Sequence, residues 1–279
     1  MEPIDLELYG RKTFFIAPDA SLIPKSYLEE FMARGYQTYI INDDYVCPIQ
    51  AKVREIINLF PDSILYFNID ATVEDVEWKS YIRELQEFLG EKVLIGVFYL
   101  ARANSADEEK IKQFYLSDIN VKAGCFALSA HDHGNFDSIL SVLEKTGARG
   151  RRNLVRATCD SSSTVKFDHK GAGFSADLLD VNVTHFRCDL HAGSGRFAIF
   201  EKVHDVALSV NGMLFISDAV LIMKRTMGEK TLCIFMFIKP DGTPDLEPDV
   251  AKKLNQKIYQ IVLDETMEKL RVSFSKADY

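Results

Sequence analysis

The hydrophobic period of this chain changes once, at Gly150, and that change constrains the fold more than any other feature. Upstream, short apolar runs alternate with amphipathic segments of helical period. The runs are "TFFIAP", "YQTYIIN", "SILYFNI", "KVLIGVFYL" and "AGCFALS". The segments that follow them are "PKSYLEEFMARG", "PIQAKVREIINLF", "VEDVEWKSYIRELQEFLG", "SADEEKIKQFYLSD" and "NFDSILSVLEKTG". Pro24 opens the first of these, and Ser105 reads as the N-cap of the fourth. Strands that are apolar throughout must be covered on both faces. Five such βα units predict a parallel, doubly wound α/β domain over residues 1–147.

Downstream the period drops to two. "STVKFD", "GFSADLLDVNV", "HFRCDL", "RFAIFEK", "DVALSV", "MLFISDAVLIMKRT" and "KTLCIFMFIK" alternate apolar and polar positions. Glycine-rich breaks separate them: "KGAG", "HAGSGR", "NG" and "MGEK", with "GEKT" read as a hairpin turn. Short strands of this kind predict an antiparallel β-barrel or sandwich. A final stripe of Val250, Leu254, Ile258, Ile261, Val262 and Met267 predicts a helix over about 247–270. The second domain is therefore expected over 148–279, with "KTGARGRRN" as the junction.

Composition narrows the function. The 279 residues carry a formal net charge of −8, which disfavours a polymeric nucleic acid as partner. Five scattered cysteines, odd in number and without a CxxC pair, suit neither a disulfide framework nor a structural zinc site and fit a cytoplasmic chain. "MEPIDLELYG" has no signal-peptide pattern, and no apolar run approaches the ~20 residues that span a bilayer. His131-Asp132-His133 lacks a third metal ligand. "HAGSGRF" lacks the Lys-Ser/Thr of a phosphate loop and reads as a turn. No nucleophile–base pair or metal set appears, so no enzyme is expected.

Against the acidic background stands "GRRNLVRA", residues 150–157. Between Lys145 and Lys170 seven Lys/Arg face two Asp, a local balance of +5. A guanidinium donates two parallel hydrogen bonds to phosphate oxygens or to a guanine edge, and its plane stacks on purines. The bland reading of the same run is a solvated linker whose charges balance the acidic remainder.

Arg152-Asn153-Leu154-Val155-Arg156 ahead of a small barrel resembles the RxxxR segment of the PilZ family, receptors for cyclic di-GMP. The family's second motif, D/N-x-S-x-x-G, is matched by Asp180-Val181-Asn182-Val183-Thr184-His185, with Asn182 in place of serine and His185 in place of glycine. The resemblance covers roughly residues 148–272. It implies that Arg152 and Arg156 grip the dinucleotide, that Asp180 meets guanine N–H groups, and that binding orders residues 148–156 and re-angles the domains. Arg151 would add a phosphate contact and Asn182 a hydrogen bond, while His185 places a side chain where the family brings backbone to the ligand. The alternative is a PilZ-type scaffold that binds no dinucleotide and acts through protein contacts.

The first domain resembles a response-regulator receiver without its chemistry. After the first strand only Asp19 is acidic, the phosphoacceptor position falls on Phe67 or Asn68, and Asp70 comes two or three residues late. Ala101 stands for the family's Ser/Thr, and Ser129, Ala130 and His131 stand where its Lys is expected. This implies a protein-binding surface, a second copy of the chain included. A phosphorylated Asp70 at the sheet's C-terminal edge is the more distant reading.

Overall fold

The computed structural model describes residues 8–44, 47–90, 92–190, 197–227 and 230–276. By contacts the chain divides into residues 1–155 with 266–279, and residues 156–265. The sequence-based boundary at 147/148 assigned the whole terminal helix to the barrel, whereas contacts group its last turns with the first unit.

The first unit is a parallel sheet with strand order β2-β1-β3-β4-β5. Its strands are β1 (Thr13–Ile16), β2 (Thr38–Ile41), β3 (Ile64–Asn68), β4 (Leu94–Leu100) and β5 (Gly124–Leu128). This is the order of flavodoxin-like sheets, which reverse direction of winding between β1 and β3. β1 and β3 are buried along their whole length, as sheets covered on both faces require. The helices are α1 (Lys25–Ala33), α2 (Ile49–Leu59), α3 (Trp78–Leu89), α4 (Ser105–Lys112) and α5 (Gly134–Lys145). Two details differ from the sequence reading. Asn104, not Ser105, caps α4, its Oδ1 accepting from the Ala106 amide at 3.0 Å. The end of that segment, Gln113–Asp118, widens into a π-helical turn, where Tyr115 is buried.

"GRRN" is not a free linker. Ala148 is buried, the Arg149 guanidinium lies 5.1 Å from the Tyr36 ring, and Arg152 lies 4.4 Å over Tyr9. The Arg152 amide donates to the Leu8 carbonyl at 3.1 Å. Gly10 and Gly150 permit this approach: a Cβ on Gly150 would stand 2.5 Å from the Gly10 nitrogen and from Leu8 backbone.

The second unit is a barrel of β7 (Thr164–His169), β8 (Ala172–Val181), β9 (His185–Leu190), β10 (Lys202–Val210), β11 (Met213–Met227) and β12 (Lys230–Ile238). The order β8-β7-β10-β11-β12-β9 closes through a β8–β9 pairing, so six antiparallel strands form a complete ring. A two-residue strand, β6 (Ala157–Thr158), lies against β8. Asn211-Gly212, both at positive φ, make the two-residue turn from β10 to β11 expected of "NG". The interior is aromatic: Phe186 stacks on Phe235 at 5.1 Å, and Phe167, Phe174 and Phe197 cluster beside them. The described part of "RFAIFEK", residues 197–201, is not a strand, because Phe200 takes a left-handed φ of 69° and the Glu201 carboxylate folds back onto the Ala198 amide. "HAGSGR" and the Gly228-Glu229 tip of the last hairpin lie outside the described residues.

The terminal helix, α6 (Pro248–Phe274), is longer than its stripe predicted. Leu254, Ile258, Val262, Thr266 and Leu270 are buried at a spacing of four. Thr266 Oγ1 meets Lys12 Nζ at 3.1 Å and Tyr39 Oη at 3.0 Å, within the first unit. No helix among the described residues is long and apolar enough to cross a membrane.

The close approach at Gly150 sets a test. Gly150→Ala forces backbone against backbone and should cost about 1–3 kcal/mol in chemical denaturation. Gly147→Ala, at positive φ but with nothing within 4 Å, should cost only about 1 kcal/mol.

Candidate functional site

In the second unit the sequence-predicted residues Arg156, Asp180, Asn182 and His185 come together around the start of β9. The geometry begins with a bulge. On β8, Leu178 pairs with Cys188 but Asp180 pairs with Arg187, so Leu179 is an extra residue. Ala176 and Leu178 are buried barrel positions. Simple alternation would send Asp180 to the same interior. The bulge flips the parity and turns Asp180 to the outer face, opposite Arg187 and Thr158. Val181 then takes the inward place, facing Phe186 and Ala157, all three buried.

Asp180 is 8% exposed and joined to two cations. Arg156 Nη1 donates to its Oδ1 at 2.9 Å, and Arg187 Nη2 lies 2.6 Å from its Oδ2. Arg187 was missed by the sequence reading. Nothing in "HFRCDL" distinguishes it until the bulge sets the register, although alternation alone marks it as an outward residue between buried Phe186 and Cys188. Arg187 Nε is buried without a partner among the described residues.

Asn182 plays a local part. Its Oδ1 accepts from the Thr184 amide at 2.9 Å, the Thr184 hydroxyl at 2.9 Å and the His185 amide at 2.7 Å. The Asn182 amide in turn donates to the His185 carbonyl at 2.9 Å. This is an Asx-type turn that closes the β8–β9 connection. His185 does not take a positive φ, so the backbone here does not demand the family's glycine. Burial first, and the Arg156 guanidinium second, hold its imidazole below the ordinary value.

Arg152 and Arg151 stand in the other unit by contacts. Arg152 lies on Tyr9, and Arg151 is exposed. The RxxxR segment thus changes unit between Val155 and Arg156.

At the C-terminal edge of the first unit's sheet, Asn68 is buried, and its Nδ2 donates to the Ala17 carbonyl at 3.1 Å. Asp70 accepts from the Leu100 amide at 2.7 Å and pairs with Arg102. Asn135 ties the end of β5 to α5 by exchanging hydrogen bonds with the Ser129 backbone at 2.7 and 3.0 Å. Asp132 accepts from the Gly134 amide at 2.8 Å, a structural role within the His-Asp-His run. Among the described residues no group of three or more His, Cys, Asp or Glu could hold a metal ion. Burial pushes the Cys125 and Cys159 thiols up to about 12 and Cys233 up to about 11, which leaves these three protonated at neutral pH.

The Asx turn gives a direct test. Asn182→Ala strips three acceptor bonds from a buried turn and should lower stability by about 2–3 kcal/mol, whereas Asn182→Asp keeps the acceptor and should cost less, both read in urea unfolding.

No family model matches the chain, and no curated protein matches it. Solved structures do. YcgR in complex with c-di-GMP from Escherichia coli is 15% identical, with 44% of this chain aligned to 51% of that one at a TM-score of 0.38. The apo state of K. pneumonia MrkH is 13% identical, with 43% of this chain aligned to 55% of that one at a TM-score of 0.37. The chain thus spans about half the length of these two proteins. The PilZ domain of the same YcgR with c-di-GMP is 16% identical and is covered over 99% of its length by 46% of this chain, at a TM-score of 0.34. These are likenesses to PilZ-domain structures.

Proposed function

We propose that this chain is a non-enzymatic, cytoplasmic signalling protein whose barrel binds cyclic di-GMP on its outer face. The observation that carries the reading is the outward carboxylate of Asp180, set by the bulge between β8 and β9 and joined to Arg156. A guanine edge offers two N–H donors to such a carboxylate, and a phosphate offers oxygens to the guanidinium. Arg152 and Arg151, in the matched RxxxR lead-in, are the further donors of this reading. His185, half-buried beside Arg156, borders the ligand with its ring. The first unit serves as a protein-binding module.

Isothermal titration with cyclic di-GMP tests this. The wild-type chain should bind, and Arg156→Ala and Asp180→Ala should each weaken binding by about tenfold or more. Silence of the wild type at high micromolar ligand removes the proposal.

A second reading has its own observation. Asn182 is committed to its turn, and His185 carries a ring where the PilZ pattern has glycine. On that reading the barrel binds no dinucleotide and acts through protein contacts. The double variant Asn182→Ser/His185→Gly separates the two: binding that appears only in the double variant favours the scaffold, and binding already present in the wild type rules it out.

A further inference from the structure

We infer that Arg187 is a phosphate-contacting residue of this site, forming with Arg156 a pair of guanidiniums that share Asp180 as their strut. The inference rests on the ligand reading above and extends it to a residue outside both matched motifs.

Three observations lead to it. First, Arg187 stands directly across the ladder from Asp180, and its side chain is 42% exposed while that of Asp180 is 11% exposed. The carboxylate is thus mostly covered, and the cation beside it reaches solvent. Second, Arg156 engages one carboxylate oxygen and Arg187 the other, through one terminal nitrogen each. Each guanidinium carries five N–H donors in a fixed fork, so donors remain on both sides of the strut. A tetrahedral anion seated between the forks would take bonds from both. Third, Arg187 Nε is buried without a partner among the described residues. A charged donor left bare in this way is costly, and a pose that turns the fork toward an anion relieves it.

The surroundings fix the side from which the anion arrives. Two pairs further along the same ladder, past Leu178 and Cys188, Asp177 faces Asp189. These acidic positions mark the limit of the cationic pair in that direction. On the other side Asp180 pairs with exposed Thr158, at the strand that Arg156 leads into. The phosphate therefore sits toward β6, over Arg156 and Arg187, and Asp180 orients both cations.

A positioning role for Arg187 and a phosphate contact make different predictions about salt. Removing a phosphate contact flattens log K against log[salt], because a screened charge pair is lost, whereas losing the strut alone weakens binding at unchanged steepness. The experiment is titration of cyclic di-GMP into the full chain at several potassium chloride concentrations, for the wild type, Arg187→Ala and Arg187→Gln. The inference expects about tenfold weaker binding in both variants, with a shallower salt dependence. Arg187→Gln covers the case in which Arg187→Ala fails to fold, judged by circular dichroism. Unchanged affinity, or weaker binding at the wild-type slope, overturns the inference and leaves the function standing. A wild type that binds no cyclic di-GMP overturns both.

Discussion

The second unit's chemistry depends on one carboxylate held between two guanidiniums. Asp180 links three stretches of chain that are distant in sequence: the lead-in to β6, the bulged end of β8 and the start of β9. Its position follows from backbone, not from side-chain attraction. Without the extra residue at Leu179, the acid would point into a barrel lined by Phe186, Phe235 and Phe237, where an ionised carboxylate is costly. With it, the acid faces outward and its charge is met by two cations. The Asx turn at Asn182 follows within two residues and fixes where β9 begins. Bulge, turn and ion pairs therefore form one local arrangement, and the arginines are displayed by it.

The first unit shows the same economy in a different form. At the edge where parallel sheets usually hold ligands, Asn68, Asp70 with Arg102, and Asn135 are each bonded to neighbouring backbone or side chain. Polar residues there satisfy the ends of the strands.

Much of this was legible in the sequence. Period and turn residues marked both sheets, since continuous apolar runs and strict alternation answer to different burial. The RxxxR segment and Asp180 stood out by residue type and spacing. Other features were not legible, for definite reasons. A one-residue bulge leaves no mark in composition, so Arg187 could not be matched to Asp180. Arg149 and Arg152 read as linker charges because the rings they lie on, Tyr36 and Tyr9, are more than a hundred residues earlier. Phe200 breaks the alternation of "RFAIFEK" only through its backbone angle. The last residues of α6, to Phe274, lie past the predicted stop at about 270.

The grouping of residues 266–279 with residues 1–155 gives the chain an unusual connectivity. The barrel is an insertion, attached to the rest by two covalent tethers, one at each of its ends. A single cut after Val155 would leave it joined through α6, so releasing it takes two cuts. Synthesis runs in the same order. The sheet leaves the ribosome first, yet Lys12 and Tyr39 meet Thr266 only after the whole barrel has been made. The first unit is completed only after the second has been made.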